Sequence, residues 1–201
     1  MASALQQYLR SPALWLAIGI AVLCVVLQFS GLEPTLRFDR QAIAKGHWWL
    51  LLSGNFVHLS VSHLGMNMAG LALIVALVWT QFNAWQWLLI ILFSSVCVGL
   101  GLYFFDGQVD WYVGFSGTLH GLIIAGSLAD LKRYPRSAAA LLIMVSAKLV
   151  WEQLAGPLPG SESVAGGSVV VNAHLYGAIA GLVIGVAVLA IRYRRADPAN
   201  T

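Results

Sequence analysis

Charge is scarce in this sequence: only 9% of its 201 residues are Asp, Glu, Lys or Arg, against about 25% in a typical soluble domain. With 59% of residues hydrophobic, that scarcity excludes a soluble globular domain and leaves an integral membrane protein. No hydrophilic stretch is long enough for a second domain, and there is no low-complexity tail. No A-x-A-like cleavage site follows the first apolar run, which is therefore expected to be retained. Cysteine is nearly absent. Cys24 and Cys97 fall at similar depth in spans of the same direction, so a bridge and two free buried thiols both stay open. No Cys/His spacing suits a metal, so neither a metal nor another cofactor is expected. The inverted repeats and interrupted helices of a channel or transporter are also missing.

What the chain does contain is long apolar runs. Windows of about 20 such residues fall near Pro12–Gly31, Phe56–Gln81, Trp85–Phe105, Gly114–Leu131, Ser137–Ala155 and Val169–Ile191, which predicts six membrane helices. Basic residues gather at Arg10, at Lys132, Arg133 and Arg136, and at Arg192, Arg194 and Arg195. Cytoplasmic segments are enriched in Lys and Arg, so both termini are expected in the cytoplasm. The opposite side carries Glu33, Asp39, Asp106, Asp110 and Glu162 against Arg37, Arg40 and Lys45. A net charge of +3 is then a signal of topology, and no nucleic-acid partner is expected.

Four polar residues fall at nearly one depth. At a rise of about 1.5 Å per residue, His63 and Asn67 of the second span lie roughly 10 and 16 Å below the outer surface, and His174 of the sixth roughly 8 Å. The fourth span is short. About 14 residues from Ser116 to Ala129 cover only about 21 Å of a core near 30 Å, which sinks Ser116 to about 10 Å. Polar groups at that depth face the bundle interior or a water-filled cavity and mark a functional site by default. The alternative is hydrogen-bonded glue between helices. Taken together, Ser and His are the nucleophile and base of acyl transfer, while His63 and Asn67, at i and i+4, present donors from one helix face. Gly117, Gly121 and Ala125 form a small-residue stripe on the fourth span, as do Gly177, Gly181 and Gly185 on the sixth, and such stripes let two backbones approach closely. Lys148 and Glu152, also i and i+4, can neutralise each other in lipid.

Three stretches carry a resemblance: "HLSVSHLGMN" (with His58, His63 and Asn67), "GFSG" (Gly114 to Gly117) and "AHLYGAIAG" (Ala173 to Gly181). In order, and across all six spans, they resemble the signatures of rhomboid intramembrane serine proteases. The resemblance implies an all-α membrane protein, a six-transmembrane-helix rhomboid-like bundle with cytoplasmic N- and C-termini, in a single transmembrane domain over 1–201. It implies Ser116 as nucleophile and His174 as base. The side chains of His63 and Asn67 and the backbone N–H of Ser116 would form the oxyanion hole. No acidic residue lies close to these motifs in sequence, so a dyad is expected rather than a triad. His58 resembles the family's outer histidine and would organise the loop, the alternative being an ordinary interfacial histidine.

Departures from the pattern are informative. His120 stands where many rhomboids have a tyrosine supporting the catalytic histidine. Stacking under His174, tuning of its basicity and plain packing all stay open, with Tyr176 nearby in the sixth span. Leu50 stands where many rhomboids carry an arginine that anchors the first external loop, so that anchor is in doubt; Trp48 and Trp49 suit a loop lying in the interface. Because the fifth helix flanks the lateral entrance in rhomboids, Lys148, Trp151 and Glu152 have two readings: a structural ion pair, or substrate recognition.

The short chain, with "LRFDRQAI", "WWLLLSGNFVH", "GFSGTLHG" and "NAHLYGA", looks most like the rhombosortase subfamily of the bacterial inner membrane. That likeness implies partners in the lipid bilayer: protein substrates anchored by a C-terminal transmembrane tail with a Gly-Gly motif, cut at a site opening to the periplasm. Whether water or an amine resolves the acyl-enzyme stays open. A general rhomboid protease with other single-pass substrates is the alternative, followed by a non-catalytic rhomboid-fold protein that binds membrane clients.

Overall fold

The computed structural model describes residues 10–195. The termini beyond them, and the side chains of Arg192, Arg194 and Arg195 on which part of the topology argument rests, lie outside the described residues. Helix α1 (Pro12–Phe29) starts on a proline, whose missing N–H is an orphan at N1 anyway. A short α2 (Glu33–Leu36), strand β1 (Phe38–Asp39), α3 (Arg40–Ala44) and α4 (Leu50–Ser53) make up the first connection. Next come α5 (Val61–Val78), continued by a 3₁₀ turn at Trp79–Gln81, and α6 (Ala84–Phe105). Strand β2 (Trp111–Tyr112) precedes α7 (Ser116–Asp130). The last described elements are α8 (Pro135–Ala155), α9 (Ser161–Ala165) and α10 (Val171–Arg195).

Five of these helices, α1, α5, α6, α8 and α10, are long and apolar enough to cross a membrane. The remaining predicted span, the fourth, is α7, whose 15 residues rise about 22 Å and stop short of a hydrocarbon core of about 30 Å. A helix that short is viable because protein surrounds it. Leu122, Ala125, Thr118 and Ser127 are fully buried, and α7 packs against α5, α6, α8 and α10. The bundle is all-α apart from a two-residue ribbon in which β1 and β2 pair antiparallel, Phe38 with Tyr112 and Asp39 with Trp111.

The predicted second span begins at Phe56, but α5 begins at Val61. Ser60 sets the start: its hydroxyl accepts from the His63 N–H at 3.0 Å, the cap that orphan helix donors require. His63 is therefore in the first turn of α5, so the depth counted along a helix from Phe56 does not hold for it; the Phe56–His58 segment ahead of it is buried in protein without being helical. Cys24 and Cys97 are both free.

The first connection is anchored without an arginine at position 50. Leu50 is buried with Phe38, Ile43 and Val98. Arg40 supplies the anchor, spreading its guanidinium over the carbonyl end of α6: Nη1 donates to Tyr103 O (2.7 Å), Nη2 to Leu102 O and Asp106 O (both 2.6 Å), and Nε to Val109 O (2.9 Å). A cation at the negative end of a helix dipole is favourable on both counts.

Candidate active site

The small-residue stripes of α7 and α10 bring their backbones into contact. A Cβ on Gly117 would lie 2.8 Å from the Ala173 carbonyl oxygen, and one on Gly121 would lie 2.8 Å from that of Gly177. Added to Gly177 or Gly181, it would collide with the carbonyls of Gly117 and Gly121. At the top of this seam Ser116, first residue of α7, meets His174, in the first turn of α10, with Oγ 2.9 Å from Nε2. A hydroxyl held on an imidazole at a helix N-terminus can act as a nucleophile with its base already in place.

The turn into Ser116 is built for close approach. Gly114 has φ +126°, a conformation open to glycine, and a Cβ there would lie 2.7 Å from His63 Cε1. Tyr112, to which the sequence reading gave no role, donates from its hydroxyl to Gly114 O at 2.6 Å and fixes that turn. Behind it, Thr118 donates to Asn55 Oδ1 (3.2 Å) and pairs with the Ser95 hydroxyl (2.8 Å), while Asn55 Nδ2 donates to Ser95 O (3.1 Å). This buried network ties α7 to α6 and to the loop before α5, and a buried amide so satisfied rigidifies its surroundings.

His63 Nδ1 accepts from the Leu59 N–H at 3.4 Å, which leaves Nε2 as its donor. The ring of His58 packs edge-on against it, with centroids 5.2 Å apart. Asn67 is buried and donates to His63 O at 3.1 Å. Two cavities meet at Ser116, His63 and His174. One, of about 470 Å³, runs under residues 165–170 toward Tyr112; the other, of about 270 Å³, lies between α5 and α8 and includes Asn67, Lys148 and Glu152.

On the far side of His174 the structure departs from the dyad expected from sequence. Glu152 Oε2 lies 2.9 Å from His174 Nδ1, so a carboxylate stands on the nitrogen opposite the serine. Local spacing gave no sign of it because the carboxylate arrives from another helix. The usable signal was an ionisable residue inside an apolar span, which by default faces the bundle interior. Lys148 Nζ sits 2.7 Å from Glu152 Oε1 and 3.1 Å from His120 Nε2. The His120 ring stacks on that of His174, with centroids 4.4 Å apart and planes 21° apart. Tyr176 and Trp151 are not brought in. Tyr176 packs on Gly101 and Phe105, and Trp151 is half exposed on the outside of α8. His120, Glu152 and His174 offer ligand atoms within 4.8 Å of one another, but a metal ion there would face the Lys148 ammonium already bonded to two of them.

Residues 45–191 match the Rhomboid domain family, the greater part of the chain. The chain belongs to the rhomboid family. No individual curated protein matches it. Membership of the family supports a function of intramembrane protease type, and the five apolar helices make the chain a multi-pass membrane protein, consistent with a lipid bilayer and membrane-protein substrates.

Proposed function

We propose that this rhomboid is an active intramembrane serine endopeptidase that removes C-terminal membrane-anchor tails of the Gly-Gly type from exported proteins. The observation that carries the reading is the 2.9 Å approach of Ser116 Oγ to His174 Nε2 at the start of a sunken helix. Ser116 attacks the scissile carbonyl while its proton passes to His174 Nε2, and the oxyanion is met by the Ser116 backbone N–H, His63 Nε2 and the Asn67 amide. His174 then returns the proton to the leaving nitrogen, and water or an amine resolves the acyl-enzyme. A glycine-rich target suits this site because a helical substrate must unwind to expose its carbonyl, and glycine weakens a helix by about 1 kcal/mol relative to alanine. The enzyme lies in the bacterial cytoplasmic membrane with the site opening to the periplasm, the orientation favoured by its basic termini and the Lys132–Arg136 connection.

The test is proteolysis in liposomes of a Gly-Gly-tailed substrate and of a generic single-pass rhomboid substrate by wild type, Ser116→Ala and His174→Ala. Cleavage of the tailed substrate by wild type alone supports the reading, and intact product masses separate hydrolysis from transfer to an amine. Preference for the generic substrate would replace the tail specificity with a general one. Absence of cleavage together with a Ser116 inert to fluorophosphonate would leave a client-binding protein.

A further inference from the structure

We infer that Glu152, Lys148 and His120 form a positioning circuit for His174, which makes the Ser116–His174 pair a triad whose carboxylate is delivered by α8 and neutralised by a lysine of the same helix. The inference rests on the protease reading and adds to it a set of residues that a dyad does not need.

Proton bookkeeping fixes the circuit. The Ser116 carbonyl oxygen can only accept, so His120 Nδ1, 2.7 Å away, carries the proton. Neutral His120 then presents a lone pair at Nε2, which accepts from Lys148 Nζ at 3.1 Å. A second Lys148 N–H donates to Glu152 Oε1 at 2.7 Å. Glu152 accepts from His174 Nδ1, with Oε2 at 2.9 Å and Oε1 at 3.1 Å. With its proton on Nδ1, His174 has its lone pair at Nε2, facing the Ser116 hydroxyl at 2.9 Å. The chain of bonds leaves Ser116 at its carbonyl and returns at its hydroxyl, and each link joins one donor to one acceptor. The 3.3 Å approach of Lys148 Nζ to His174 Nδ1 is between two donors that share one carboxylate.

The i, i+4 ion pair expected from the sequence forms, Lys148 Nζ to Glu152 Oε1 at 2.7 Å, and its acid has a further partner. The Glu152 side chain is 2% exposed with both oxygens engaged, so it offers nothing to a substrate. A purely structural i, i+4 pair has no need to turn its acid onto the one histidine that faces Ser116. A buried carboxylate requires a partner charge, and Lys148 provides it. Glu152 is thereby available to hold the Nδ1–H tautomer and to face the imidazolium that forms when the Ser116 proton moves to Nε2. Charge balances at each step: the Lys148–Glu152 pair sums to zero before attack, and the imidazolium and oxyanion appear together.

The circuit is tested with wild type, Glu152→Gln, Lys148→Met and the double variant in liposomes, reading kcat and KM for the substrate that wild type cleaves, the rate of fluorophosphonate labelling of Ser116, and the unfolding temperature. Glu152→Gln is expected to lower kcat and labelling by about a hundredfold or more, through loss of the correct tautomer, with KM within about threefold. The double variant is expected to be no slower than Glu152→Gln, because a lysine without its acid only opposes the imidazolium. If Glu152→Gln fails to fold, the double variant, free of an unpaired charge, carries the same test. Retention of kcat within about threefold in a folded Glu152→Gln or double variant, beside an active wild type, overturns the circuit and leaves the protease reading standing. A wild type that neither cleaves nor labels overturns both.

Discussion

A Cβ on Gly177 would collide with the carbonyl oxygen of Gly117, so these two helices touch backbone to backbone beside the serine and one turn below the histidine. Separation of α7 from α10 is thus set by atoms that have no rotamer through which to yield. Gly177→Ala or Gly181→Ala must push the helices apart, and overpacking of this kind costs about 1–3 kcal/mol. A displacement near 1 Å at the reacting atoms is worth about a hundredfold in rate. Both variants are expected to lose cleavage by about that factor, with a lowered unfolding temperature in micelles. Gly185→Ala, whose Cβ would lie 3.0 Å from Ala125 Cα and further from the site, should lose less of each.

Arg40, in the first connection, gives a second prediction. Its guanidinium serves four carbonyl oxygens at and beyond the end of α6, and its own backbone N–H donates to Asp110 O at 2.9 Å. Arg40→Leu removes the charge-assisted bond from all four carbonyls, of which Leu102 O and Asp106 O keep backbone donors (the Asp106 and Val109 N–H), for a loss of about 2–4 kcal/mol, as charge-assisted bonds are worth more than neutral ones. Arg40→Lys should recover little, because a single ammonium cannot span a fork of four acceptors. Denaturant unfolding of the three proteins in the same detergent measures the difference.

Much of this was legible in the sequence for physical reasons that can be named. Apolar runs locate the membrane helices to within a few residues, because the bilayer imposes length and composition together. The Ser116 and His174 motifs and the paired glycine stripes were also visible, as each is a local pattern on one helix. Arg40 as an anchor was not, since the carbonyls it serves lie more than sixty residues away and carry no side-chain signature. The start of α5 was misplaced because Phe56 and Val57 are apolar and buried without being helical, which a hydropathy window cannot separate from helix. Glu152 was visible as an anomaly, but its partner depends on how α8 leans against α10.

Asn55 is a third target. Its amide reaches Leu51, Leu52 and Ser95 carbonyls and receives the Thr118 hydroxyl, in a largely buried network two residues from Ser116. Asn55→Leu removes the acceptor of the Thr118 hydroxyl and the amide donor to the Ser95 carbonyl, leaving Thr118 with the Ser95 hydroxyl alone, and each lost buried hydrogen bond is worth about 0.5–1.5 kcal/mol. A lowered unfolding temperature is expected, together with slower fluorophosphonate labelling because Thr118 lies two residues from the nucleophile. Unchanged values for both would show that the network is dispensable.

His58 supplies a pH dependence that sits outside the spanning helices. It is 1% exposed with neither ring nitrogen bonded, and burial, reinforced by neighbouring His63, pushes its imidazole down to about 3 from the usual 6.5. The unfolded chain therefore takes up a proton at this position near pH 6.5, while the folded protein refuses it until near pH 3. Within that window the unfolded state binds more protons, so stability is complete above about pH 6.5 and falls as the pH is lowered, by up to about 1.4 kcal/mol per pH unit from this one group. His58→Leu removes the group from both states. Unfolding temperatures measured from about pH 7 to about pH 4 should then decline less steeply in the variant than in wild type. Parallel curves would mean that water reaches the His58 ring in the folded protein and that its burial does not govern the acid sensitivity of the fold.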